Sequence, residues 1–150
     1  MKIVSFHPKY AQAFYDLNIE WLETYFYVED FDRAVLSNPQ HYILKKGGHI
    51  FFAVEEERVL GTVALMPYQE NCFELTKMAV LPEERGKKIG QKLLKHCIDF
   101  TKLEACELLL YSNTKLSNAI YLYRKYGFVE VPLEPNSPYE RSNIKMVYQG

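Results

Sequence analysis

Apolar residues recur at two different spacings along this chain, and each spacing predicts a different kind of element. Tyr10, Phe14, Leu17 and Trp21 are four, three and four positions apart, which predicts an amphipathic helix as far as about Tyr25. Short β-rich runs bounded by turn residues predict strands elsewhere. Two later stretches repeat the helical spacing, and their predicted inward residues are Ile89, Leu93, Leu94, Cys97, Ile98 and Thr101, then Leu116, Ala119, Ile120, Tyr123 and Tyr126.

The alternation of these elements predicts an α/β chain that folds as one domain, residues 1–150. Turns are predicted at Gly47–Gly48, Glu55–Arg58 and Pro67–Asn71, with a loop at Pro132–Pro138. In chain order, the predicted elements are a strand at Lys2–Phe6, helices from Pro8 to about Tyr25 and at Glu29–Ser37, strands at Ile50–Val54, Val59–Met66 and Phe73–Val80, a helix at Lys87–Lys102, a strand at Glu107–Tyr111, a helix at Lys115–Tyr126, and strands at Phe128–Val131 and Asn143–Tyr148.

Composition excludes several classes of protein. Hydrophobic residues make up 48% and charged residues 25%, as in ordinary soluble globular proteins. A formal net charge of −1 argues against broad nucleic-acid binding. We see no apolar run near membrane-span length and no signal-peptide pattern, so we expect no membrane partner and a cytoplasmic location. Cys72, Cys97 and Cys106 form no C-x-x-C pair and the histidines are scattered, so we expect neither a disulfide framework nor a metal site.

The segment Leu81–Leu94 lies between a predicted strand and a predicted helix start. Backbone N–H groups at a helix start lack intrahelical partners, and the helix dipole adds positive charge there, so this turn is suited to phosphate. Its glycines fit neither the Walker A loop, G-x-x-x-x-G-K-[ST], nor the Rossmann dinucleotide-binding turn, G-x-G-x-x-G. A basic helix start on an ordinary surface is the alternative interpretation. The predicted phosphate-binding residues are Arg85, Gly86, Lys87, Lys88, Ile89, Gly90 and Gln91.

Two segments resemble motifs of the GNAT (Gcn5-related N-acetyltransferase) superfamily. Arg85 and Gly90 match motif A, [Q/R]-x-x-G-x-[G/A], whereas Lys88 stands where the motif has its middle glycine. Ser117–Phe128 resembles motif B, roughly A-x-x-L-Y-x-K-x-G-F, and Gly127 is predicted to cap the helix in the left-handed conformation. The resemblance covers roughly residues 50 to 148. The motif B matches are Ala119, Leu122, Tyr123, Lys125, Gly127 and Phe128.

The resemblance implies both a fold and a co-substrate. The implied fold is a single mixed, mostly antiparallel sheet flanked by helices, with the ligand at a splay between strands 73–80 and 107–111. Acetyl-CoA is the implied co-substrate, without a metal, and dimers through the terminal strands are possible in such folds.

In the superfamily the backbone matching Met78, Ala79 and Val80 contacts the acetyl carbonyl and the pantetheine arm. Asn113 and Asn118 are candidates to hydrogen-bond the pantetheine amides. Leu116 stands here where motif B usually has its asparagine, and the alternative for Asn118 is a residue that starts a helix.

Acetyl transfer to an amine needs a base and, for the departing thiolate, a hydrogen-bond donor. Glu74 is the candidate base because its spacing before Met78 resembles that of the base in the histone-acetylating branch of the superfamily. The alternation of side chains along a strand also predicts that Glu74, Thr76 and Met78 share one face. A solvated strand Glu is the alternative. Tyr123 is the candidate acid because it matches the motif B tyrosine; a core tyrosine is the alternative.

We therefore expect an acetyl-CoA-dependent N-acetyltransferase that moves the acetyl group directly to a primary amine of a small molecule or peptide. A non-catalytic acyl-CoA-binding sensor or regulatory module is the alternative, and a simple nucleotide-phosphate binder would leave motif B unexplained. An acidic set near the first helices either attracts a cationic amine or forms an ordinary solvated face. Its members are Glu20, Glu23, Glu29, Asp30 and Asp32.

Overall fold

One mixed sheet organises the chain. The computed structural model describes residues 1–136 and 140–150. The strands are β1 (Lys2–Ser5), β2 (His49–Glu55), β3 (Arg58–Gln69), β4 (Cys72–Val80), β5 (Glu107–Ser112), β6 (Phe128–Val131) and β7 (Ile144–Tyr148). Their order across the sheet is β1-β2-β3-β4-β5-β7-β6. Among the described strands only β4 and β5 pair in parallel, so the predicted mixed, mostly antiparallel sheet is confirmed.

Helices cover both faces of this sheet. They are α1 (Ala11–Tyr25), α2 (Asp30–Ser37), α3 (Pro39–Tyr42), α4 (Ile89–Leu103) and α5 (Ser117–Lys125). The first three pack over one apolar cluster, which contains Phe14, Leu36 and Phe52. The last two pack over a second cluster on the opposite face, and the predicted inward residues of α4 are all buried there. In the described part of the chain, no helix is both long and apolar enough to cross a bilayer.

The sheet opens between β4 and β5, which is the splay that the resemblance implied. These two strands pair only from Cys72 to Leu75 and from Glu107 to Leu110. Beyond this short ladder the strands diverge, and β5 continues to pair with β7 while β4 continues to pair with β3. The gap leaves the second half of β4 without a neighbour on one side, which provides room for a ligand.

Three local predictions differ from the structure. β3 runs through Pro67 to Gln69, where a turn was expected, because the proline lies at a register shift that does not need its missing N–H. The short helix α3 begins at Pro39, where only a helix end was predicted, with Asn38 capping it. The predicted loop Pro132–Pro138 extends beyond residue 136 and thus reaches outside the described residues.

Candidate active site

The splay between β4 and β5 contains a cavity of about 190 Å³. The cavity is lined by residues 75–78 of β4, by residues 110–112 of β5 and by Asn113, which follows β5. α1 contributes Trp21 and Leu22, α2 contributes Asp32, and α5 contributes Tyr123. The cavity therefore touches both helical layers, and a ligand bound there would lie between them.

A β-bulge at Lys77 shapes the β4 side of the cavity. Lys77 has a left-handed φ of 57°, and the register between β3 and β4 shifts by one residue here. A bulge reverses the alternation of side chains beyond it. Met78 therefore packs into the cluster under α4 and α5. Glu74 and Thr76 stay on the opposite face, because the β3 residue paired with Glu74 is Met66, which packs against the cluster under α1 and α2. The prediction that Met78 shares the face of Glu74 is wrong for this reason.

Tyr123 forms part of the α5 wall of the cavity. It is 9% exposed, and its ring packs edge to face on Phe128 with centroids 5.8 Å apart. Burial raises the pKa of Tyr123 to about 12, because a phenolate is less well solvated here than in water. The side chain is therefore a neutral phenol at physiological pH, with one O–H group to donate.

Glu74 lies beside the cavity, on the α1 and α2 face of β4. It is 8% exposed and immediately precedes the segment 75–78 that lines the cavity. Its carboxylate raises the pKa of Lys77, although burial has the larger effect and lowers that pKa overall. The two side chains are thus within electrostatic reach of each other.

The turn from β4 into α4 presents backbone groups to an anion. Gly86 has φ of 89°, which glycine adopts without strain, and open space surrounds its α-carbon. α4 begins at Ile89, and no side chain of the described residues caps its N-terminus. The N–H of Lys92 donates to the carbonyl of Lys88 at 3.1 Å, so the N–H groups before it are available to a ligand.

Lys88 departs from motif A without altering the turn. It holds the N-cap position of α4 with φ of 66° and ψ of 18°, in the left-handed region. A glycine adopts this conformation freely, whereas another residue does so at a cost of roughly 1–2 kcal/mol. Lys88 therefore holds a backbone conformation that glycine also adopts, and its side chain is exposed.

Two of the three predicted phosphate-binding cations are engaged in ion pairs. Arg85 Nη2 donates to Glu20 Oε1 at 2.6 Å, and its guanidinium lies over the ring of Tyr25. Lys87 Nζ donates to Glu84 Oε2 at 3.2 Å. Arg85 therefore fixes the turn against α1, and further positive charge for an anion must come from neighbouring residues.

A lysine-lined groove lies beside the turn, and one of its lysines, Lys95, pairs with Asp99 Oδ1 at 2.7 Å. The groove lies between the start of α4 and the end of α5 and has a volume of about 470 Å³. Sequence reasoning missed Lys92 and Lys95, although their spacings of four and seven from Lys88 place all three on one face of α4. The residues lining the groove are Lys88, Gln91, Lys92, Lys95, Lys125 and Tyr126.

The two candidate asparagines have different positions. Asn113 lines the cavity, but its Nδ2 donates to the Arg141 carbonyl at 2.9 Å and its Oδ1 accepts from the Lys115 N–H at 2.9 Å. Its observed role is therefore to hold the Arg141 segment against the β5–α5 turn. Asn118 is exposed at the second residue of α5 and does not line the cavity, although its neighbour Ala119 does.

Arg141 is a site residue that no sequence pattern indicated. Its Nη2 lies 2.8 Å from Asp32 Oδ1, and its Nη1 lies 3.2 Å from Asp32 Oδ2 and 3.1 Å from Glu29 Oε2. Burial raises the pKa of Asp32, but hydrogen bonds from Arg141 and from the Glu29 N–H together bring it below its usual value. The acidic set is thus largely committed to arginines: Glu20 pairs with Arg85, Glu29 and Asp32 pair with Arg141, and Glu23 and Asp30 are exposed.

Two of the four histidines, His49 and His96, pack against one aromatic ring. His49 and His96 both lie against the ring of Phe51, with centroids 6.3 and 4.5 Å away, and burial lowers the pKa of each. Among residues 1–136 and 140–150, no group of three or more His, Cys, Asp and Glu side chains is arranged to hold a metal ion.

Known proteins resemble this chain in both sequence and fold. The sequence model of the Acetyltransferase (GNAT) family matches residues 11–128. The chain belongs to this family. The match begins well before residue 50, where the motif resemblance was expected to start, so the family pattern also includes α1 and α2.

Individual relatives agree with this assignment. An uncharacterised N-acetyltransferase of Schizosaccharomyces pombe is 33% identical over 96 residues, which span 62% of this chain and 59% of that protein. A GNAT-family acetyltransferase of Staphylococcus aureus has a TM-score of 0.86 at 24% identity, covering 98% of this chain and 97% of its own. The PaiA N-acetyltransferase of Thermoplasma acidophilum, solved with coenzyme A, has a TM-score of 0.75 at 19% identity over 100% of both chains. These likenesses show that the chain shares the fold of these acetyltransferases.

Proposed function

We propose that this GNAT protein transfers the acetyl group of acetyl-CoA directly to a primary amine. The observation that carries the proposal is the common cavity at the splay. The Tyr123 phenol and the bulged segment 76–78 line this cavity, and β4 leads from it to the uncapped start of α4. A thioester in the cavity would place its sulfur near a proton donor and its phosphates near an anion-binding turn.

The chemistry requires three changes, and the chain offers a group for each. The amine nitrogen attacks the thioester carbonyl carbon, and backbone N–H groups of Met78–Val80 would stabilise the oxyanion. The C–S bond then breaks, and Tyr123 donates its hydroxyl hydrogen bond or proton to the departing sulfur. The proton lost by the amine passes through water to Glu74. No covalent enzyme intermediate is needed.

Acetyl-CoA should stabilise the fold, and Gly90→Glu should remove this effect. A β-carbon at Gly90 would meet only Val80 Cγ2 at 3.9 Å, so the fold itself tolerates a side chain. A ligand at one hundred times its dissociation constant stabilises by about 2.7 kcal/mol. A carboxylate at Gly90 would occupy the diphosphate position and repel its charge. Thermal unfolding with and without acetyl-CoA measures the effect.

Gly90→Ala is the matched control for this substitution, since it adds a small uncharged group at the same place. We expect it to weaken the acetyl-CoA shift partially, whereas Gly90→Glu abolishes it with little change in the melting temperature of the unliganded protein. An undiminished shift in Gly90→Glu would contradict the placement of the diphosphate at this turn.

The lysine groove should distinguish acetyl-CoA from acetyl-dephospho-CoA, which lacks the 3′-phosphate. Lys125→Ala should raise the KM for acetyl-CoA about two- to fivefold, the size expected for one solvent-exposed ion pair. The same variant should leave the KM for acetyl-dephospho-CoA unchanged. Lys102→Ala is the control, because Lys102 lies on α4 but its ammonium contacts the Tyr148 ring instead. Equal effects on both co-substrates would place the 3′-phosphate elsewhere.

Release of free thiol from acetyl-CoA in the presence of a panel of amines tests the proposal as a whole. An acetyltransferase releases thiol only when an accepted amine is present. A non-catalytic acyl-CoA-binding module would show the thermal shift but no amine-dependent thiol release, and that result would replace the proposal.

A further inference from the structure

The cavity at the splay has two different sides in the proposed reaction. Tyr123 on α5 lines the side at which the sulfur departs, whereas Glu74 lies on the α1 and α2 face of β4. The amine that loses its proton toward Glu74 therefore enters from the side of α1 and α2. The residues that line this side indicate what kind of acceptor fits there.

The charged groups on this side are committed to one another. Both carboxylate oxygens of Asp32 accept from the Arg141 guanidinium, whose Nη1 also lies 3.1 Å from Glu29 Oε2. Lys77 is close enough to Asp32 and Glu74 for both carboxylates to raise its pKa. The described charges that line the cavity and their partners are therefore three carboxylates and two cations. A carboxylate on the acceptor would meet no surplus positive charge among them.

The α1 side of the cavity also presents an aromatic wall, which consists of Trp21 and Phe26. Both residues line the cavity, and their ring centroids lie 5.6 Å apart. Both are half-buried, so the rings retain surface that a ligand can cover. Leu22 and Leu36 add apolar lining from α1 and α2. An acceptor on this side would thus contact mainly carbon atoms.

Contacts with neighbouring residues hold the aromatic wall in place. Lys115 Nζ donates to the Tyr25 carbonyl at 2.7 Å and lies 3.9 Å from the centroid of the Phe26 ring. The second contact is a cation–π interaction. The Trp21 ring packs against the Tyr25 ring with centroids 5.3 Å apart. Because the wall is formed without a ligand, binding does not have to order it, which favours affinity.

We propose that the acceptor is a small primary amine with an uncharged, apolar body, and that Trp21 and Phe26 bind this body while the amine faces Glu74. This inference rests on the proposed acetyltransferase function. Apolar surface buried against the aromatic wall supplies the binding free energy. A second ammonium group, as in a polyamine, would bring further positive charge toward Lys77 and Arg141. A volume of about 190 Å³ favours a compact body, since sites for drug-sized ligands measure roughly 300–1,000 Å³.

The test compares amines that differ in the body but share the reacting group. The apolar members are 2-phenylethylamine and 3-methylbutylamine, and ethylamine has the same amine with little body. We expect kcat/KM, corrected for the fraction of free amine, to favour the better apolar amine over ethylamine by about 10- to 100-fold, as for one buried apolar group. L-Phenylalanine, which adds a carboxylate to the phenyl body, and spermidine should both react about tenfold more slowly than that amine, because burying an unpaired charge is costly.

Substitutions of Trp21 test the wall itself. Trp21→Ala should lower the ratio of kcat/KM between the better apolar amine and ethylamine by about fivefold or more, since it removes most of the contact surface. Trp21→Phe should restore most of the ratio, because it returns an aromatic ring. Tyr121→Ala is the control: it removes an aromatic side chain on α5 that is 67% exposed, and it should keep the wild-type ratio. Thermal unfolding without ligand shows whether each variant is folded.

Fluorescence provides a readout that does not depend on turnover. Trp21 is the one tryptophan of the chain, so its emission reports on the aromatic wall. With coenzyme A in place of acetyl-CoA, no acetyl group is present and a titration measures binding alone. The better apolar amine should change the emission saturably, whereas ethylamine and spermidine at the same concentration should not. An emission that stays unchanged with both apolar amines would overturn the inference.

The outcomes separate this inference from the proposed function. Acetylation without preference over ethylamine, or with preference for L-phenylalanine or spermidine, would overturn the inference and leave the acetyltransferase function intact. An equal loss on the apolar amine and on ethylamine in Trp21→Ala would also overturn it, because Trp21 would then act in the chemistry or the fold. Absence of thiol release with every amine would overturn the proposed function and this inference with it.

Discussion

Replacing Tyr123 with phenylalanine should lower kcat by about 10²–10⁴-fold, the usual contribution of a general acid. The phenol lines the cavity at α5, and its hydrogen bond matters most when the sulfur gains negative charge. An interaction made mainly in the transition state lowers kcat more than it weakens binding. The dissociation constant for acetyl-CoA should therefore change by less than about threefold. Single-turnover kinetics together with equilibrium binding would separate the two effects.

The pH dependence of this loss provides a second check. Because the pKa of Tyr123 is raised to about 12, the phenol stays protonated throughout the range from pH 6 to 10. The deficit of Tyr123→Phe should thus be nearly constant across that range. Tyr121→Phe is the control, since Tyr121 lies on the same helix but is 67% exposed. A turnover within about twofold of wild type, with chemistry rate-limiting, would make Tyr123 a packing residue.

Glu74→Gln should lower kcat/KM by about 10²–10³-fold near neutral pH, and by much less at high pH. The substitution keeps the size and hydrogen bonding of the side chain but removes its basicity. Near neutral pH most of a primary amine is protonated, because its pKa lies near 10.4, so a base is needed to produce the nucleophile. At high pH the free amine is plentiful and the base contributes less. Full pH–rate profiles of both forms on an active amine measure this difference.

The control for Glu74→Gln is Glu70→Gln, which changes an exposed carboxylate in the turn between β3 and β4. It should leave the profile unchanged. An equal loss in Glu74→Gln at every pH would assign Glu74 a structural role beside Lys77. An unchanged kcat/KM at every pH would mean that a water chain or another carboxylate accepts the amine proton.

The helix and strand pattern of the second half was predictable because it depends on local spacing. Every predicted inward residue of α4 is buried, and Gly127 adopts a φ of 107° at the predicted helix end. The path of the turn from β4 into α4 was predictable for the same reason, since a strand, a glycine and a helix start follow one another along the chain. The roles of Glu74, Tyr123 and the residues of this turn in catalysis and binding stay predictions.

The side of the cavity that contains Asp32 and Arg141 could not be predicted, because it is assembled from distant segments. Arg141 meets Asp32 across 109 positions of sequence, and no local pattern relates them. The bulge at Lys77 has no signal in the sequence, since lysine is uncommon at a left-handed φ and strand alternation gives no warning of it. Its effect is nevertheless large, because it separates Met78 from Glu74 and brings Lys77 to the cavity.

The most direct test of the central claim is mass spectrometry of the amine panel after incubation with the protein and acetyl-CoA. The account predicts an N-acetylated amine that forms in equal amount to the free thiol and does not form with Gly90→Glu. An acetylated form of the protein itself that appears before any acetylated amine would contradict direct transfer. Acetyl-CoA that binds but remains intact with every amine would contradict the acetyltransferase assignment.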